Sequence, residues 1–236
     1  MRIRRLLLIF VIVAMCGIVF IGGNIALVSS NSVLKYSIKN NNGKPVYKVL
    51  IDLTENKLYL IDKSNIISSY PVSPEKKDNP SPIGKWKIVQ KDVGDKKFSF
   101  NWLGLSVPWG KFGISGTTEM GKISSSVYQG CVGMLNSDME KLYKLVGVGT
   151  EVVVYGGPYG PFGNGHKTIN SGDRGADVYE IQKRLKKLGF YKGIVDGIYG
   201  EDLRTAIYKF EENKGLEVTD SLSGAFYSKL GIKLIN

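Results

Sequence analysis

Phe112-Gly113-Ile114-Ser115-Gly116-Thr117 and, twelve positions further on, Gln129-Gly130-Cys131-Val132-Gly133-Met134-Leu135-Asn136 are the stretches that decide how this 236-residue chain folds. Both are apolar runs broken by glycine, and the second contains Cys131. The other cysteine, Cys16, sits inside an apolar N-terminal run and reads as a filler there. If the rest of the chain is exported, Cys131 has no intramolecular disulfide partner. A lone exported thiol is either a buried small hydrophobe or a nucleophile, and its neighbours decide between the two.

Around these stretches the sequence runs in short alternating or apolar segments: Val46 to Leu53, Lys57 to Ile61, Ile66 to Val72, Gly84 to Val89, Lys97 to Leu105 and Glu151 to Tyr155. Their length and their β-branched and aromatic content predict strands. Thr54-Glu55-Asn56 and Lys63-Ser64-Asn65 read as hairpin turns between them. One helix is expected from Ser137 to Val146, with Met139, Leu142, Leu145 and Val146 on one face. Residues 46–156 therefore form a mostly β domain with one helix.

Residues 157–170 are dense in glycine and proline, predict no regular structure and mark a linker. They include His166, the only histidine of the chain. Beyond Ser171, Val178, Ile181, Leu185 and Leu188 recur at helical spacing, with Gly189 as a stop. Leu203, Ile207 and Phe210 share the face of a second helix that opens with Glu201 and Asp202, acids suited to the positive end of its dipole. Ser223 to Leu230 makes a short third helix, with Phe226 and Leu230 inward. Residues 171–236 are thus a small all-α unit.

The N-terminus carries Arg2, Arg4 and Arg5 ahead of Leu6 to Val28, a 23-residue run without a charged side chain. Such a run is long enough to cross roughly 30 Å of hydrocarbon as a helix, and the arginines place its start in the cytoplasm. Residues 1–30 are therefore expected to be a single-pass membrane anchor, with the bulk of the chain extracytoplasmic. A cleaved signal peptide is the rival reading, against which stand the length of the run and the poor cleavage site at Val28-Ser29-Ser30. The net charge of +11 is concentrated in residues 33–170, at about +7, against about +1 in residues 171–236. Scattered lysines without an aromatic–basic motif suit anionic lipids or wall polymers and exclude nucleic-acid readout.

Gly172-Asp173-Arg174-Gly175, Val178, Ile181-Gln182, Leu185, Leu188-Gly189-Phe190, Asp196-Gly197, Tyr199-Gly200, Ala206, Phe210 and Gly215-Leu216 together resemble the peptidoglycan-binding domain of wall enzymes. The resemblance implies a non-catalytic wall-targeting module. Any ligand contacts are expected from loop residues such as Asp196 and Tyr199. A helical dimerisation unit is the alternative.

Val49-Leu50-Ile51-Asp52-Leu53, Lys57-Leu58-Tyr59-Leu60, Tyr70-Pro71-Val72-Ser73, Pro80-Ser81-Pro82-Ile83-Gly84 and the two opening stretches resemble the YkuD-type L,D-transpeptidases. The resemblance implies a β-sandwich with one helix, and acyl transfer in which a cysteine thiolate attacks a peptidoglycan stem tetrapeptide, releases D-alanine and passes the acyl group to a neighbouring amine. Cys131 falls at the nucleophile position, and Gly130 with the amides around it at the oxyanion region. The family's two histidines are replaced by Ser115 and Gln129. The serine or threonine before the second histidine is Tyr128, and the arginine or asparagine two residues after the cysteine is Gly133.

Neither serine nor glutamine accepts a proton at neutral pH, so base assistance of roughly 10²–10⁴-fold is missing unless another group supplies it. Glu119 and Lys122 lie near Ser115 in sequence, and His166 follows a linker long enough to fold back. An acyl-transferring enzyme, a catalytically impaired domain that binds peptidoglycan, and a scaffold holding a partner enzyme at the wall all remain open. The expected partners are peptidoglycan stem peptides and glycan, with a membrane at the N-terminus. No metal site or cofactor is expected.

Overall fold

Val49, Ile51, Leu58 and Leu60 alternate with more exposed neighbours, and all four side chains are buried on one face of a sheet. The fold is that of a computed structural model that describes residues 18–21, 24–27, 46–73, 81–93, 101–119, 130–162 and 168–232. The chain divides into two units, residues 1–38 and 39–236.

In the first unit, β1 (Ile18–Ile21) pairs antiparallel with β2 (Asn24–Leu27), Ile21 opposite Asn24. These residues lie within the run expected to be a membrane-crossing helix. The rest of the run lies outside the described residues, and among the described residues no helix is long and apolar enough to cross a membrane.

The second unit opens with β3 (Tyr47–Asp52), β4 (Lys57–Asp62), β5 (Asn65–Pro71), β6 (Gly84–Val93), β7 (Asn101–Leu105), β8 (Gly113–Thr117), β9 (Val132–Leu135) and β10 (Glu151–Tyr155). The strands bond in the order β5-β4-β3-β10-β6-β7-β8-β9. The two expected hairpins are present. Asn56 and Lys63 take positive φ in their turns, and the Asp52 carboxylate accepts from Thr54 N at 2.8 Å, Thr54 Oγ1 at 2.6 Å and Glu55 N at 3.2 Å.

Strand β6 is shared between two half-sheets. Gly84 to Lys87 pair with β10, Ile88 to Val93 pair with β7, and a bulge between Ile88 and Gln90 turns the corner. The sheet curls until its ends meet, where Ser73 and Gly133 exchange both backbone hydrogen bonds, at 2.8 and 2.9 Å.

Helix α1 (Asn136–Leu145) follows β9 directly and lies along β7, β8 and β9. Met139 and Leu142 are buried beneath it, as expected, whereas Leu145 is exposed and Val146 takes the inward place. Lys91 closes the helix. Its Nζ donates to the carbonyls of Tyr143 at 2.6 Å and Val146 at 2.8 Å, and burial holds its pKa below the ordinary lysine value.

Helices α2 (Ala176–Lys187), α3 (Glu201–Asn213) and α4 (Gly224–Lys229) gather around Val178, Ile181, Leu185, Leu203, Ile207, Phe210 and Phe226. Ser223 caps α4 by accepting from Phe226 N at 3.1 Å, and Gly189 and Gly215 take positive φ just past α2 and α3. The stretch expected to be a structureless linker is different. Gly160–Phe162 form a turn of 3-10 helix, and Phe162 and Ile169 are buried in the helical core. Phe162 packs edge-on to Tyr227 with ring centroids 5.7 Å apart.

Candidate active site

Strand β8 runs parallel to β9, with Ile114 beside Val132, Ser115 beside Gly133 and Gly116 beside Met134. Strand β7 flanks the other side, with Trp102 opposite Ser115. The structure thus brings Ser115 and Gly133 onto adjacent strands, and Cys131 immediately precedes β9. The Cys131 side chain is fully buried, with 0% exposure. Gln129, Tyr128, Lys122 and His166 lie outside the described residues.

Ser115, expected at a family histidine position, donates its hydroxyl to the carbonyl of Gly116 at 3.2 Å. Thr117 Oγ1 donates to the Glu119 carbonyl at 2.9 Å and accepts from Glu119 N at 3.3 Å, closing a turn at the end of β8. Gly133 is held by Ser73 through both its N–H and its C=O. A glycine suffices at that position because its main chain, not a side chain, makes the bond. The role of Ser73 is invisible in sequence, since the pairing joins residues sixty positions apart.

The space left by two glycines is already taken. Gly116 lies in β8, where an added Cβ would collide with Asn136 Oδ1, a buried oxygen without a hydrogen-bond partner among the described residues. Gly130 has φ +80°, and an added Cβ would collide with Phe112 Cε1 and Cδ1. The Phe112 ring therefore fills the side of Gly130 on which a Cβ would stand.

Phe112 belongs to a run of rings that crosses the second unit. Its centroid is 6.0 Å from that of Trp109, Trp109 is 5.2 Å from Trp86, and Tyr179 of α2 lies 5.5 Å from Trp109 and 5.6 Å from Trp86. Trp86 Nε1 donates to the Pro82 carbonyl at 2.7 Å. Ala176 and Tyr179 pack against the core of the sheet. A cleft of about 360 Å³ opens beside this junction, with Lys85, Trp86, Tyr155, Tyr179, Glu180 and Lys183 on its walls. Trp86 and Tyr179 already pack on other rings there, and Lys183 is paired with Glu180 at 2.9 Å.

Asp196 and Tyr199, expected to contact ligand, both take part in the packing and hydrogen bonding of the module. Tyr199 is 2% exposed, in the core of the helical module, and burial pushes its phenol up to about 12. Asp196 Oδ1 accepts from Gln182 Nε2 and from Ile198 N, each at 2.9 Å. Gln182, with 0% exposure, also donates to the Ile198 carbonyl at 3.0 Å and accepts from Gly197 N at 2.7 Å. One buried amide therefore holds the whole Asp-Gly loop. The module's amphipathic spacing gives no sign of this, because Gln182 sits on the inward face among apolar residues.

A thiol nucleophile needs a proton acceptor and donors for the developing oxyanion. Among the described residues there is no histidine, and no three Asp, Glu, His or Cys side chains gather as a metal site would require. The arrangement sets a buried thiol at the start of β9 and the Ser115 hydroxyl on the adjacent strand.

Residues 46–154 match the sequence profile of the L,D-transpeptidase catalytic domain, and residues 174–229 that of the "putative peptidoglycan binding domain". A Bacillus licheniformis protein named "Putative L,D-transpeptidase YkuD" is 28% identical over 134 residues, which cover 56% of this chain and 78% of that protein. The spore cortex-lytic enzyme of Bacillus cereus is 43% identical over 68 residues, 29% of this chain but only 26% of that enzyme. The crystal structure of an L,D-transpeptidase from Stackebrandtia nassauensis aligns over 54% of this chain and 62% of its own, with 26% identity and a TM-score of 0.40.

Proposed function

For a chain that carries a YkuD-type L,D-transpeptidase domain followed by a peptidoglycan-binding domain, we propose a cell-wall protein that binds peptidoglycan through the helical module and presents a catalytically impaired transpeptidase domain to the stem peptides. The observation that carries this reading is Ser115, on β8 beside Gly133, with its hydroxyl donated to the Gly116 carbonyl. A serine there cannot take the proton of Cys131. Without base assistance worth roughly 10²–10⁴-fold, acyl transfer falls far below a histidine-equipped site. The burial of Cys131 supports the same reading.

The site is then read as Cys131, Ser115, Gln129, Gly130 and Gly133 in their family positions, retained for shape and recognition. The charge-free run from Leu6 to Val28 behind Arg2, Arg4 and Arg5 supports attachment at the outer face of a membrane with residues 46–232 toward the wall. Extraction of whole membranes with alkaline carbonate tests the attachment, and release of the intact chain into the wash would count against it. For wall binding, the full chain should sediment with purified sacculi and be competed off by soluble peptidoglycan fragments. Recovery in the supernatant would overturn the proposal.

A further inference from the structure

We infer that Trp109 and Phe112 are positioning residues through which the helical module sets the geometry of the Gly130–Cys131 loop. The inference rests on the assignment of the two domains and not on turnover at Cys131. Trp109 is seated on the module from two sides. The Tyr179 ring of α2 lies 5.5 Å away, and Gly197, at φ +74°, brings its main chain so close that an added Cβ would collide with Trp109 Cε3. At the other end of the run, Phe112 occupies the space beside Gly130 where a Cβ would stand. Trp109 and Phe112 are themselves in edge contact, with centroids 6.0 Å apart and ring planes inclined by 66°.

Two glycines with positive φ, one in each domain, thus form the notches at the ends of a two-ring strut. Gly110, between the rings, adds to the constraint, since a Cβ there would stand 2.8 Å from Phe112 Cε2. Trp86 buttresses the strut from β6, in contact with both Trp109 and Tyr179. Packed interiors transmit displacement because they have little free volume. Moving the module off Trp109 releases Trp109, then Phe112, then the turn that aims the backbone of Gly130 and Cys131. The module is in this sense a structural part of the thiol site as well as a wall-binding attachment.

The test is the rate at which N-ethylmaleimide alkylates Cys131 in the full chain, read on the Cys131 peptide by mass spectrometry from about pH 6 to about pH 9. Trp109→Ala and Tyr179→Ala are expected to raise the rate about tenfold or more by loosening the ring contacts, and to displace the midpoint of its pH profile. Tyr179→Phe keeps the ring and should match wild type. Leu58→Ala, which opens a cavity at β4 of the same core and removes none of the ring–ring contacts named above, should leave both rate and midpoint unchanged. Wild-type rates and profiles in folded Trp109→Ala and Tyr179→Ala, or the same change in Leu58→Ala, would overturn the inference. If either ring variant does not fold, Gly197→Ala displaces Trp109 from the module side and should act in the same direction; a folded Gly197→Ala with the wild-type profile overturns the inference equally. Alkylation needs no turnover, so these outcomes are independent of whether stem peptides are processed.

Discussion

Gln182, Glu211 and Ser115 each hold a polar group where the surroundings leave it few choices. Gln182→Leu would strip partners from the Gly197 N–H, the Ile198 carbonyl and Asp196 together, which predicts a loss of about 2–4 kcal/mol in urea denaturation. Glu211 is buried in α3, and burial raises its pKa against the lowering effect of the Thr219 N–H. A group whose folded pKa is raised contributes stability below its unfolded value, near 4.5, and loses it as pH rises through the folded value. Glu211→Gln should therefore be more stable than wild type at neutral pH, and its stability should vary less between acid and neutral conditions. At the site, Ser115→His combined with Gln129→His is expected to raise Cys131 alkylation at neutral pH about tenfold or more, because imidazole partners stabilise the thiolate. The stretches that hold Ser115 and Cys131 could be singled out in the sequence by their spacing, and folding sets them side by side. Gln182 and Ser73 could not, since their roles depend on partners brought near only by folding.

Among the elements, the turn at Gly130 is the most constrained. Gly130→Ala must adopt φ +80° and press its methyl into Phe112, so a loss of about 2–4 kcal/mol is expected from left-handed strain and overpacking together, measurable as a lower denaturation midpoint. The hairpins from β3 to β5, strand β10 and the three helices of the module were readable from alternation, helical periodicity and turn residues. Strands β8 and β9 were not readable as strands, because glycine interrupts both and their faces are apolar on each side. The segment around Phe162 was misread because composition registered its glycines and prolines and not the single ring that docks it.

At the scale of the whole molecule, residues 46–232 should unfold as one cooperative body, because Tyr179 and Gly197 lock the helices to the sheet through Trp86 and Trp109. Scanning calorimetry of the wild type is expected to show one transition for the two domains, and Tyr179→Ala to separate them; two resolved transitions in the wild type would refute the lock. On the function proposed above, a wall-binding body holds the Cys131 thiol without an imidazole base. Release of D-alanine from a stem tetrapeptide by the full chain, compared with Cys131→Ala, tests it directly. Equal, background release from the two proteins is the predicted result, and sustained release by wild type that disappears in Cys131→Ala would contradict it.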